Sequence, residues 1–105
     1  MMENYVVIDL EMTGLNVKTD RILEVGAARV RNQHVTETFC ALVDPETDIT
    51  ERVTELTGIS NEMAQNGEKA ENVLPEFFAF LGEDILVGQN IIFDYSFLKQ
   101  WAVNH

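Results

Sequence analysis

The sequence predicts one α/β domain on a mixed sheet, with elements in the order βββ-α-β-α. Three observations carry that prediction. Apolar runs with strand periodicity fill most of residues 4–43, residues 70–81 change to helical spacing, and a short apolar run at 85–87 precedes a second helical pattern. A chain of 105 residues suits a single domain with a real core but little to spare. Hydrophobic content of 46% with two prolines marks a folded protein, not a disordered one.

The first strand is expected over residues 4–10. Tyr5, Val6, Val7 and Ile8 make both of its faces apolar before the acids begin, which suggests a central strand covered on both sides. A turn over residues 12–16 follows, in which Gly14 is free to take positive φ. Residues 21–31 and 34–43 flank Asn32-Gln33 and read as an antiparallel hairpin. Val35, Phe39, Ala41 and Val43 fall on one parity, as in a half-buried strand, and Asp44-Pro45 ends it. Cys40 lies in this strand and reads as a small buried apolar residue; a single cysteine has no internal disulfide partner and fits a reducing compartment.

Thr50 can cap a short helix that Gly58 closes, and Ser60 can cap a further turn before Asn66-Gly67 breaks the chain. Val73, Leu74, Phe77, Phe78, Phe80 and Leu81 have helical spacing and read as core. Pro75 restricts that helix to a start near Glu71 or Asn72, so that it lies in the first turn, and Gly82 supplies the stop. Ile85-Leu86-Val87 is most easily placed parallel to the first strand with this helix as crossover. A last helix contains Phe97, Leu98 and Trp101.

Several function classes are disfavoured early. No apolar stretch approaches a membrane span, and no basic-then-apolar leader opens the chain, so a cytoplasmic location without a membrane partner is expected. The net charge of −11 would repel phosphate at long range. Nucleic acid is therefore either not the partner or is drawn by bound metal, a few local cations, or basic surface elsewhere.

Asp9 and Glu11 bear most directly on function. Two positions apart on a strand, they aim at one spot, and like charges so placed call for protonation, solvation or a cation. A hard divalent ion such as Mg²⁺ takes carboxylate oxygens together with water and phosphate. The plain alternative is a strand end whose acids face solvent. Asp94 follows the apolar run at 85–87; if that run lies beside the first strand, the third carboxylate projects toward the same edge. The plain alternative for Asp94 is an acid favoured by a helix dipole, and the two roles are compatible.

These residues bring a family into view. Ile8-Asp9-Leu10-Glu11-Met12-Thr13-Gly14-Leu15 resembles the first motif of the DnaQ-like (DEDD) 3′→5′ exonucleases, and Gly88-Gln89-Asn90-Ile91-Ile92-Phe93-Asp94 resembles the second. Ile22-Leu23-Glu24-Val25-Gly26-Ala27 and Leu56-Thr57-Gly58-Ile59 are similar to accessory segments, in matching order. Within the family the likeness is to exonucleases that proofread for bacterial replicative polymerases such as DNA polymerase III, with a further likeness to oligoribonucleases.

The resemblance implies a ribonuclease H-like fold and a two-metal site for Mg²⁺ or Mn²⁺, with Asp9 bridging the ions and Glu11 and Asp94 helping to hold one of them. It implies contacts of Thr13 and Leu15 with the terminal nucleotide, in a groove shaped by Gly14, Asn90 and Phe93. Local packing explains Leu15 and Phe93 as well, and a turn hydroxyl explains Thr13. Single-stranded 3′ ends, of DNA ahead of RNA, are the implied substrate, and a polymerase is the implied partner.

The family also carries a third motif, a histidine general base with a fourth acidic ligand after it. The sequence reaches His105 before any such segment, so a partial exonuclease domain over residues 1–105 is expected, ending before the last strand and helices. His34 opens a strand beside a turn, and His105 lies about 16 Å along a helix from Asp94, too far for a base. Weak or absent turnover and an exposed sheet edge covered by a homodimer follow as expectations. A nuclease-like interaction module and an unrelated α/β domain are the competing classes.

Overall fold

The computed structural model describes residues 3–105. Three long strands come first: β1 (Asn4–Met12), β2 (Ile22–Arg31) and β3 (His34–Asp44). They are followed by α1 (Glu51–Thr57), α2 (Asn61–Gln65), a two-residue strand β4 (Glu68–Lys69), α3 (Ala70–Leu81), β5 (Ile85–Val87) and α4 (Ile91–Asn104). The sheet order is β4-β3-β2-β1-β5. β1, β2 and β3 pair antiparallel, whereas β5 runs parallel to β1 and β4 parallel to β3, which makes the mixed sheet that the sequence predicts.

Local chemistry accounts for the joints. Asn32 and Gln33 both take positive φ, at 51° and 70°, the combination a two-residue type I′ hairpin demands. The Thr50 hydroxyl accepts from the Val53 amide and Gly58 closes α1 at φ 77°; Ser60 caps α2 in the same way. One face of the sheet, including Val6, Ile8, Leu10, Val25, Ala27 and Val43, packs against Val73, Leu74, Phe77 and Leu81 of α3 and Phe97 and Leu98 of α4. Edge acids tie down the far end: Arg31 makes a two-oxygen contact with Asp84, and Arg29 pairs with Glu37 while its guanidinium lies 4.2 Å over the Phe80 ring.

A β-bulge creates a second, smaller core. Glu11 stands opposite Glu24, but Met12 stands opposite Ile22, so Leu23 is the extra residue. Ile22 joins the main core, while Leu23 joins Ile49, Ile59 and Ala64, with Leu42 and Val53 packed alongside. This cluster seats α1 and α2 against the sheet near Asp9 and Glu11.

Several expectations from sequence need correction. β1 runs on to Met12, so Glu11 is a strand residue, and its Val7 face is open (36% exposed), because α1 and α2 reach only one end of it. Cys40 is exposed, since it faces away from α3 and α4. Val35 is exposed because a register shift between Arg29 and Val30 breaks the parity it shared with Phe39, Ala41 and Val43. Gly14 does not adopt positive φ; its lack of a Cβ makes room for the Asp20 carboxylate instead. Pro75 is the sixth residue of α3, beyond the first turn, tolerated on an exposed position while Val73, Leu74, Phe77 and Leu81 anchor the helix. β4 has no counterpart in the sequence reading.

Candidate active site

The parallel ladder between β1 and β5 ends at Val7 opposite Val87. Beyond it, β1 has no strand neighbour on that side, and its next inward-facing amide needs another acceptor. Asp94, in the first turn of α4, supplies one: its Oδ2 accepts from the Leu10 amide at 3.3 Å, and the residue is only 3% exposed. Leu10 lies between Asp9 and Glu11. The carboxylate of Asp94 is therefore held against the stretch of backbone that carries the other two acids, although 84 residues separate it from Leu10.

Gly88 permits this approach. A Cβ there would stand 2.8 Å from the Ile8 carbonyl oxygen, so only glycine lets the segment after β5 pass so close to β1.

Asp9, Glu11 and Asp94 all line one groove of about 720 Å³. Met12, Thr13, Gly14 and Leu15 form one wall, Thr50, Arg52, Val53, Leu56 and Thr57 of the α1 region a second, and Gln89, Asn90 and Phe93 the floor by α4. Leu15 is 84% exposed at the rim, so local packing does not account for it. Phe93 reaches the groove while its ring meets Phe97 edge-on at 5.2 Å, so packing and groove lining coexist. Asn90 occupies the N-cap of α4 without a side-chain capping bond. The Thr13 hydroxyl donates to Asp20 at 3.0 Å and accepts from the Arg21 amide at 2.9 Å, which makes it a turn hydroxyl.

The acids act on one another. Burial foremost, then the negative charges of Asp9, Glu24 and Asp94, raise Glu11 above its ordinary pKa. Asp94 is also raised, chiefly by burial and further by Asp9, against the opposing pull of the Leu10 amide. Glu24 escaped the sequence reading as an electrostatic partner; its position directly across from Glu11 follows from the register of β1 on β2. Arg52 carried no signal at all, and Leu56 only as part of the Leu56-Thr57-Gly58-Ile59 segment, because only the seating of α1 brings them to the groove.

The donor set fits a small hard cation in chemistry and charge. Among the described residues no three of His, Cys, Asp or Glu stand grouped so that they could hold a metal ion by themselves. Asp9, Glu11 and Asp94 share the groove lining without forming such a group, so a cation held there would draw on water and phosphate oxygens for the rest of its shell. Neither histidine lines the groove. His34 is exposed at the hairpin, and His105 stacks on Trp101 at 4.5 Å beside a separate cavity of about 470 Å³ on the α3–α4 side. Among the described residues no helix is long and apolar enough to cross a membrane.

A mixed sheet of this order, with carboxylates from its first strand and last helix lining one open groove, defines an α/β domain with an acidic groove at one end of the sheet. The comparisons with known proteins name it more narrowly: the exonuclease family RNase_T matches residues 6–105, and the chain belongs to it. Its relatives include the PolC-type DNA polymerase III of Thermotoga petrophila, 41% identical over 97 residues that make up 92% of this chain and 7% of that protein. The DNA polymerase III subunit epsilon of Aquifex aeolicus is 41% identical over 98 residues, 93% of this chain and 48% of that one. The chain thus spans under a tenth of the first relative and about half of the second. Among solved structures, product-bound exonuclease I superposes with a TM-score of 0.81 at 17% identity, over 94% of this chain and 25% of that chain. This likeness bears out the ribonuclease H-like exonuclease fold.

Proposed function

We propose that the groove hydrolyses the terminal phosphodiester bond at the 3′ end of single-stranded nucleic acid, DNA ahead of RNA, and releases nucleoside monophosphates. The observation that carries this reading is the bond from the Leu10 amide to Asp94, which sets a third carboxylate against the strand segment bearing Asp9 and Glu11. Asp9, Glu11 and Asp94 would hold Mg²⁺ or Mn²⁺, which supplies an activated water and stabilises the departing 3′ oxygen in such hydrolyses. Leu15 and Phe93 offer apolar surface to a terminal base, and the uncommitted side chain of Asn90 offers hydrogen bonds. Thr13 shapes the groove through Asp20 and Arg21 and does not depend on substrate for its bonds.

With no histidine in the groove, a general base is not provided by the described lining, so this chain alone should turn over slowly. A polymerase partner is in keeping with relatives that are named as polymerase III proteins. A nuclease-like module that binds without cleaving is the competing reading, and the net charge of −11 favours it.

Mn²⁺ titration separates the two. The exonuclease reading expects Mn²⁺ to raise the melting temperature, Asp9→Ala to abolish that rise with the fold retained, and 3′-labelled single strands to lose label only with metal present. A native chain indifferent to Mn²⁺ in both assays sinks the reading.

A further inference from the structure

Four charged residues line the groove, and three of them are the acids; the fourth is Arg52. Most other cations are committed or placed elsewhere. Arg29 is paired with Glu37 and stacked on Phe80, Arg31 is paired with Asp84, and Lys69 with Glu46. Lys18 and Arg21 line the separate cavity on the α3–α4 side. The guanidinium of Arg52 makes no hydrogen bond or ion pair among the described residues, although it shares a groove with three carboxylates. An arginine left uncommitted beside acids keeps the five donors of its planar guanidinium available to the oxygens of a phosphate.

We propose that Arg52 contacts a backbone phosphate of the bound single strand, other than the phosphate over the carboxylates. This rests on reading the groove as a nuclease site. Leu56 follows Arg52 by four residues on α1, so the two share one helix stripe about 6 Å apart along the axis. Leu56 is 75% exposed, and Leu15 is exposed on the facing wall. A nucleotide entering between them sets its base against leucine and its phosphate within reach of guanidinium. The arrangement also addresses the charge problem. In a chain of net charge −11, Arg52 is the one positive charge in the groove lining, and it is held there by the small core around Leu23, against which Val53 packs.

The test is equilibrium binding of fluorescein-labelled oligothymidylate to the 105-residue chain in Ca²⁺, read by anisotropy across a salt series. Arg52→Gln should weaken binding roughly tenfold at moderate salt and flatten the plot of log K against log salt by about 0.7, the loss of one single-strand phosphate contact. Arg52→Lys should keep the slope, and Lys99→Gln, on the exposed side of α4, should match the native chain. Circular dichroism confirms that each variant is folded. Native affinity and slope in Arg52→Gln, with binding still abolished by Asp9→Ala, overturn the proposal and leave the nuclease reading standing. Binding that ignores metal and Asp9 but loses its slope in Arg52→Gln supports Arg52 and removes the nuclease reading. A native chain that binds no oligonucleotide overturns both.

Discussion

Gly88→Ala tests how the site is assembled. The added methyl would sit 2.8 Å from the Ile8 carbonyl oxygen, with the Ile8 and Ile91 side chains at 3.7 Å. That oxygen belongs to the backbone of β1, where Ile8 stands opposite Ala27 of β2 one residue past the end of the β5 ladder, and it cannot swing aside as a side-chain tip could. Gly88 has no positive φ, so the cost is steric alone. Restoring ordinary contact requires the segment to move by roughly half an ångström, an overpacking that typically costs about 1–3 kcal/mol. For a domain of this size each kcal/mol lowers the melting temperature by about 4–8 °C. The same displacement lengthens the Leu10–Asp94 bond, which at 3.3 Å has little to spare. Thermal melts with and without Mn²⁺ should therefore show two losses, a lower midpoint and a smaller metal-induced rise. A variant that melts within about 1 °C of the native chain and responds fully to Mn²⁺ would show that the close approach does not position Asp94.

Three further outcomes are expected. Glu11 and Asp94 are raised above ordinary values of 4.5 and 3.8, so the folded state holds the extra protons and its stability falls as pH rises through that window. Asp94→Asn should gain in melting temperature relative to the native metal-free chain as pH rises from 4 toward 7; a difference that stays flat refutes the coupling. Thr13→Val removes a bond to Asp20 and one from the Arg21 amide, and should cost about 1–2 kcal/mol in urea unfolding without metal. An unchanged midpoint would return Thr13 to a purely substrate-facing role. β5 is a sheet edge whose Ile85 is 57% exposed beside the open Val7 face, so sedimentation should detect self-association that rises with concentration, and a single monomer species throughout would count against it.

The sequence alone determined what depends on local pattern. Helical spacing, the Thr50 and Ser60 caps and the Gly58 and Gly82 stops are settled by neighbours within a few residues and appear in the structure where the pattern puts them, and strand alternation does so except where a register shift exposes Val35. Asp9 and Glu11 belong to the same class, because a strand sends every second side chain to one side. Tertiary structure decided what depends on chain segments meeting. The bulge that turns Leu23 into a second core, the open face that exposes Cys40, and the room beside Gly14 for Asp20 all arise from packing that no short window encodes. So do the placing of Asp94 on the Leu10 amide and the arrival of Arg52 in the groove: the first needs β5 to stop at Val87, the second needs α1 seated on the sheet near Asp9 and Glu11. Periodicity says which way a side chain faces, and only the fold says what stands there to meet it.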